Sequence, residues 1–386
     1  MSATTDRRIQ ASRLTTLPEI DALRDEWRQL EERCPDLTPF STWEWCRSVA
    51  KHYGDGRPLW VFTLRSDGDL VGIAPFTETR LGGLRLLRFI GSGSGRYSMA
   101  DYQDLLTAEG HEDEVVAAFC DELARQPAWD VLHLQELPPS SRTPARLTAA
   151  AASQGWLTQL KPGSDVHLLP LTGTWDSYKA TLSRSTRNGT GRKIRKLVAE
   201  HAGSFVTVGD DESAVRAAME DLFDLHTRRW SSVGKPGIFS TPRRRRFDHE
   251  VAGRLAQRGM LRMFLLKSGD RTIGVSYGFQ RDGMEYHYGG GFDPAPEWNH
   301  FRLGMALDLW IIEDSFRRGV RCVNFLRGEG HYKEHYRTET RFNQDLLVFR
   351  NRRALLHYRF ARVARGALNR LRRRLADGRA KLPEAG

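Results

Sequence analysis

Two stretches of this chain carry the same pattern of apolar and polar positions. Residues 59–76 read LWVFTLRSDGDLVGIAPF and residues 261–278 read LRMFLLKSGDRTIGVSYG. At a constant offset of 202, Phe62 matches Phe264, Leu64 matches Leu266, Ser66 matches Ser268 and Gly72 matches Gly274. Each copy is an apolar run, a turn built on Asp and Gly, and a β-branched run carrying one glycine, which predicts a β-hairpin. PFST at 39–42 recurs as IFST at 238–241, each followed by a stretch of helical composition. Downstream, VVAAFCDEL (115–123) and MALDLWIIEDSF (305–316) have helical character, and each precedes a strand-like run, DVLHLQEL (130–137) or RCVNFL (321–326). Both halves therefore run helix, hairpin, further strand, helix, strand, which points to a tandem duplication. The order predicts an α/β fold of two tandem halves, each a mixed, mainly antiparallel sheet flanked by helices. The expected divisions are 1–168, 169–350 and a C-terminal helical tail, 351–386.

Composition narrows the class. Of 386 residues, 40% are hydrophobic and 28% charged, as in a soluble globular protein, and the length suggests two to three domains. The opening MSATTDRRIQASRL lacks the apolar core of a secretory signal, and no apolar run reaches the roughly 18–20 residues of a membrane span. Cys34, Cys46, Cys120 and Cys322 lie far apart without CxxC spacing, so free thiols in a cytoplasmic protein are expected, with no metal site. The net charge of +11 is a property of the tail: residues 351–386 hold eleven Lys/Arg against two Asp/Glu, leaving +2 for the first 350. Nucleic acid is therefore not an expected partner of the body.

Four segments of the second half carry a resemblance. Trp175 with the basic run after it, LHTRRW (225–230), YHYGGGFDP (286–294) and GEGHYK (328–333) resemble, in order, the acetyltransferase domain of the CelD-type family associated with bacterial cellulose biosynthesis. That family is part of the GNAT superfamily of acyl-CoA-dependent transferases. The resemblance implies two tandem GNAT-like halves, an acetyl-CoA or other acyl-CoA co-substrate, and N- or O-acyl transfer in cell-envelope or exopolysaccharide biosynthesis. Tandem GNAT halves also occur in the Fem-type ligases, which use aminoacyl-tRNA. That leaves a Fem-type transferase, its basic tail engaging tRNA, as an alternative, and a non-catalytic scaffold of a polysaccharide-synthesis complex as another.

GNAT proteins hold the CoA pyrophosphate on free N–H groups where a glycine-containing loop opens a helix, since a helix start offers unpaired donors and partial positive charge. Here the resemblance implies FRLGMALDL (301–309), with Arg302, Leu303, Gly304, Met305 and Ala306 as the binding segment. Phe301 stands where the family loop usually begins with Gln or Arg. The first half offers only EGHEDEVV, whose acids would repel phosphate.

Acyl transfer needs a base or water path to the nucleophile, donors for the oxyanion, and an acid for the departing thiolate. In EYHYGGG, alternation puts Glu285 and His287 on one strand face and Tyr286 and Tyr288 on the other. His287 is the candidate base or, equally, a satisfied sheet histidine. In NFLRGEGHYKEHYRT (324–338), Gly328 and Gly330 are expected to make a turn and HYKEHY a helix with Tyr332 and Tyr336 on one face. The resemblance implies a tyrosine here as the acid, Tyr332 before Tyr336, with Lys333 stabilising negative charge. The alternative is that both tyrosines pack on the sheet and Lys333 caps its rim.

An acceptor, small-molecule or carbohydrate, would find Arg184 and Arg187 of LSRSTRNGTGRKIRK (182–196) able to hold a phosphate or anionic sugar. Arg192 to Lys196, and RRRR at 243–246, read as solvated helix faces. Trp230 is either an acceptor-pocket wall or a buried interdomain aromatic. In the tail, Leu356, Phe360, Val363, Ala367, Leu371 and Leu375 recur at helical spacing among arginines. Such a helix either lies on an anionic membrane, at its inner face for a cytoplasmic protein, or docks its stripe on the body.

Overall fold

The computed structural model describes residues 9–93, 99–328 and 330–379, with the side chains of His331 and 371–379 left out. Thirteen strands form one sheet: β1 (Gln10–Leu14), β2 (Leu59–Ser66), β3 (Asp69–Leu81), β4 (Leu84–Phe89), β5 (Leu106–Thr107), β6 (Val131–Leu137), β7 (Leu157–Pro170), β8 (Gly203–Val208), β9 (Leu261–Ser268), β10 (Arg271–Arg281), β11 (Met284–Phe292), β12 (Cys322–Arg327) and β13 (Glu339–Phe349). The two hairpins anticipated from the repeat are β2–β3 and β9–β10, whose first strands begin 202 residues apart. In the first, Asp67 and Gly68 take φ of 51° and 93°, the positive values a two-residue hairpin turn requires.

The sheet order is β1-β2-β3-β4-β6-β13-β7-β12-β11-β10-β9-β8, with β5 on β3. Two strands cross between the halves. β13 follows the second half in sequence, yet pairs antiparallel with β6 and β7. β7 follows the first half and pairs with β12. Each half is thus completed by a strand from the other, and β7 runs through residue 168. All neighbours are antiparallel except β4–β6 and β11–β12. This is the mixed α/β architecture with flanking helices that the repeat predicts.

Aromatic packing joins the halves as firmly as the sheet does. Phe40 and Trp45, both fully buried, meet Phe279 and Tyr288 edge to face across the boundary. Burial of a side chain such as Phe40 or Phe279 contributes about 1.5–3 kcal/mol. One expectation fails here. Arg244, within the run read as solvated, is 5% exposed and forms an ion pair with Asp248. It also donates to the Tyr288 hydroxyl at 2.8 Å, and that hydroxyl donates to the Met99 carbonyl at 2.9 Å. The physical reason is the i,i+4 spacing of Arg244 and Asp248, which neutralises the cation on its own helix and allows burial. Among the described residues, no helix is long and apolar enough to cross a membrane.

Candidate active site

The site begins where two parallel strands part. β11 and β12 pair only over Met284–Tyr286 and Cys322–Asn324. Beyond that, the register of β12 on β7 breaks between Asn324 and Arg327, and Leu326 takes a left-handed φ of 57°. The strands splay, leaving their backbone groups and side chains to line a cavity of about 1030 Å³. His287, Tyr288, Gly289 and Gly290 form one wall and Phe325, Leu326 and Arg327 the other. A Cβ on Gly290 would lie 3.2 Å from the Val275 carbonyl oxygen, a tight approach to the neighbouring strand.

One end of the cavity is a helix start. The helix Leu303–Arg317 opens after Arg302, which sits at φ 54° and ψ 55°, and no side chain caps its first turn. Arg302, Leu303, Gly304 and Met305 all line the cavity. Ala306 does not: it is buried, and its N–H is already spent on the Arg302 carbonyl. Arg302 adds a cation at this end. Lys193, in the helix Thr190–His201, lies close enough that Arg302 and Arg192 lower its pKa, after desolvation, the larger cause. Arg302, with Lys193 near it, therefore brings positive charge to uncapped N–H groups, an arrangement that suits an anion.

The first half has the same parallel pairing. β4 and β6 pair over Leu86–Arg88 and Val131–His133. Just past β4, the buried Gln103 side chain donates to the Ile90 carbonyl at 2.6 Å and to Phe40 at 3.2 Å. Its counterpart helix, Glu112–Arg125, carries Glu112, Asp113 and Glu114 in the first turn. An anion would meet three carboxylates there.

At the centre of the cavity, four titratable groups converge. Asp308, one turn into the Leu303–Arg317 helix, accepts a hydrogen bond from the Tyr336 hydroxyl at 2.8 Å. Its other oxygen lies 3.8 Å from His287 Nδ1, beyond hydrogen-bonding distance. Burial raises the Asp308 carboxyl to about 7, against the lowering effects of Tyr336 and Arg229. His287 packs on Phe325 with ring centres 4.9 Å apart, and its Nε2 is buried without a partner. Burial, helped by the Lys333 charge, lowers its pKa to about 4, so its imidazole is neutral at physiological pH. Glu285, on the same strand face, is turned to Ser315 at 3.1 Å and away from the cavity.

The tyrosines divide. The helix expected through HYKEHY ends at Glu334, and Glu329 lies outside the described residues. Tyr336 is fully buried, its ring stacked on Phe325 at 5.3 Å. Tyr332 is half-exposed and lines the cavity, its phenol raised to about 12 by desolvation and the Asp308 charge. Lys333 also lines the cavity, but its ammonium is held by the carbonyls of Leu326 at 3.1 Å and Gly328 at 2.9 Å. It closes the frayed end of β12, and desolvation lowers its pKa.

The far wall comes from the other half. Asp101 lines the cavity and is paired with Arg327, which also donates to the Ala100 carbonyl at 3.0 Å. Trp230 stands between this cavity and a second, more apolar cleft of about 740 Å³, lining both. Arg184 and Arg187 are not among the lining residues; Arg187 donates to the Ala180 carbonyl at 3.0 Å. Asp308, Arg229, Asp101 and Lys193 were not singled out from sequence. Asp308 was within reach, because it stands one helical turn past Gly304 on a helix already assigned to the site.

Comparison with known proteins agrees with this fold. Residues 184–334 match the acetyltransferase (GNAT) domain family. Of solved structures, FemX superposes with a TM-score of 0.58 at 11% identity, covering 87% of this chain and 96% of its own. The C-terminal domain of an Agrobacterium fabrum protein described as a lysylphosphatidylglycerol synthetase gives 0.53 at 11% identity, covering 90% and 97%. L-PGS from Bacillus licheniformis gives 0.51 at 12%, covering 88% and 95%. At such identities these likenesses concern the fold: two GNAT-like halves in tandem. No curated protein sequence matches the chain.

Proposed function

We propose that the protein is an acyl-CoA-dependent N- or O-acyltransferase, with the acyl donor held by the second half. The observation that carries this reading is the uncapped start of the Leu303–Arg317 helix, opening with Arg302 onto the gap between β11 and β12, with Lys193 near Arg302. A diphosphate suits that end, since it accepts N–H bonds and charge together. The gap then offers free strand edges to an extended chain reaching Asp308 and His287. Asp308 is placed to accept the proton of an incoming amine or hydroxyl, directly or through one water, because its raised pKa matches neutral pH. Tyr332, protonated and accessible, is placed to protonate the departing thiolate. The acceptor enters between Trp230 and the Asp101–Arg327 pair. An acetyl donor and a role in envelope or exopolysaccharide synthesis rest on the CelD-type resemblance alone.

A second reading takes aminoacyl-tRNA as donor. What favours it is the extent of the likeness to FemX, which spans nearly all of both chains. Titration calorimetry with CoA, beside thiol release from several acyl-CoAs with sugar and amine acceptors, separates the readings. Saturable CoA binding and acceptor-dependent thiol release are expected. Activity that requires charged tRNA and ignores CoA would establish the second reading, and neither activity would leave a scaffold.

A further inference from the structure

The C-terminal helix Arg352–Arg379 has two apolar faces. Asn351 caps its start, its side chain accepting from the Ala354 N–H at 3.0 Å. Ala354, Tyr358 and Ala361 are buried against the body. Tyr358 packs on Phe349 of β13 with ring centres 5.4 Å apart, and Ala361 lies where a Cβ on Gly82 would meet it at 2.8 Å. Glycine in the β3–β4 turn is what lets the helix approach so closely.

Docking by that face leaves the other one bare. Leu356 is 55% exposed, Phe360 73% and Val363 69%, and Ala367 is exposed beside them. At roughly 100° per residue, these four fall within one narrow stripe, about 160° around the helix from the docked residues. Leu371 and Leu375 continue the sequence pattern but lie outside the described side chains. The stripe expected from sequence is therefore not the stripe that packs on the body. From Arg362 onward the described residues are exposed, apart from the half-buried Gly366, so the helix leaves the body as it proceeds.

The same projection places the arginines. Arg352, Arg359 and Arg370 flank one side of the bare stripe and Arg353 the other, with no acidic residue between 351 and 370. Apolar residues with a row of cations on one side and Arg353 on the other match the layering of an anionic bilayer surface, where side chains such as Phe360 enter the acyl boundary and guanidiniums stay at the phosphates. A purely protein partner would need a long acidic rim on both sides of its groove. We infer that the Arg352–Arg379 helix docks the protein on an anionic lipid surface through Leu356, Phe360 and Val363. None of its described residues lines the candidate active-site cavity, so the inference does not depend on the proposed reaction.

The test is co-sedimentation of the full chain with vesicles of equal parts phosphatidylglycerol and phosphatidylcholine, against phosphatidylcholine alone. Binding to the anionic vesicles alone is expected, weakened by salt. A variant carrying Arg352→Gln, Arg353→Gln, Arg359→Gln and Arg370→Gln should bind about tenfold or more less tightly. A second variant, Leu356→Ser, Phe360→Ser and Val363→Ser, should lose the part of binding that survives high salt. Because these side chains face away from the body, both variants should melt as the parent does. Equal binding by parent and variants, or none by the parent, overturns the inference. So does a concentration-dependent dimer, seen by sedimentation equilibrium without lipid, that the serine substitutions abolish, since the stripe would then cover itself. RNA binding that the glutamine substitutions remove while vesicle binding is absent overturns it as well.

Discussion

Asp308 and His287 sit side by side, and burial moves their pKa values in opposite directions, the carboxyl up to about 7 and the imidazole down to about 4. Near neutrality the carboxyl is the group that changes charge. If it is the base, kcat/KM rises as pH climbs through about 7, because the protonated acid cannot take a proton. Asp308→Asn keeps an acceptor for Tyr336 and should flatten that limb while lowering kcat by roughly 10²–10⁴-fold. Stability gives an independent reading with its own sign. Between the ordinary carboxyl value and about 7, the folded chain holds a proton that the unfolded chain has lost, so stability falls as pH rises across this window. The substitution should make that fall shallower, the buried Glu31 and Glu285, likewise raised to about 7, keeping their share, which urea titrations at several pH values would show. An unchanged pH–rate limb in a folded Asp308→Asn protein moves the base elsewhere. Tyr332→Phe should lower kcat by a similar factor with CoA affinity kept, provided chemistry is rate-limiting. Tyr336→Phe should act through Asp308, shifting the inflection upward as well as slowing the reaction, because a hydrogen bond that lowers the Asp308 pKa is removed while the burial that raises it stays.

Elements, more than single residues, were legible in the sequence. The hairpins at 59–81 and 261–281, the helix after Arg302 and the strand at 322–327 all follow from local patterns of apolar period and turn chemistry. His287 and Glu285 fall on one strand face, as alternation requires, each turned toward the Leu303–Arg317 helix. What local pattern could not reveal is the partner across space. Asp248, which neutralises Arg244, was within reach at i+4, but the hydrogen-bond partners that complete its burial, Tyr288 and through it Met99, lie far away in sequence. Lys333 is spent on the carbonyls of a strand end that only tertiary structure frays. Lys193 belonged to a run expected to face solvent, yet its helix brings it beside Arg302. At this scale the prediction is electrostatic. Lys193→Glu should weaken CoA binding by about tenfold at low ionic strength, less at high salt, with no change in melting temperature. Calorimetry at two salt concentrations checks it, and undiminished affinity would remove this helix from the anion site.

For the molecule as a whole, the crossing of β7 and β13 decides how it folds. β13 lies between β6 and β7; its Leu346 and Val348 are buried in a core that draws on both halves, and its Leu347 in a smaller one with Leu84, Leu86 and Val131 of the first half. Cutting the chain at the repeat boundary would leave each half short of a strand and expose hydrogen-bonding edges. The Phe40–Phe279 and Trp45–Tyr288 contacts would be lost together with the Arg244 network. The halves should therefore unfold as one cooperative unit, although the repeat makes them look separable. Leu346→Ala tests this most directly. Removing that buried side chain should cost about 2–5 kcal/mol, by lost transfer energy and the cavity left behind. The loss should be shared: in hydrogen exchange, amides of β2 and β3 and amides of β9 and β10 should lose protection by the same free energy, although only the first group belongs to the half whose β6 pairs with β13. Autonomous domains would show a loss confined to β2 and β3, with β9 and β10 unchanged. That outcome would mean that each half is stable without the strand it borrows, and that the shared sheet is a docking of finished domains instead of a condition of their folding.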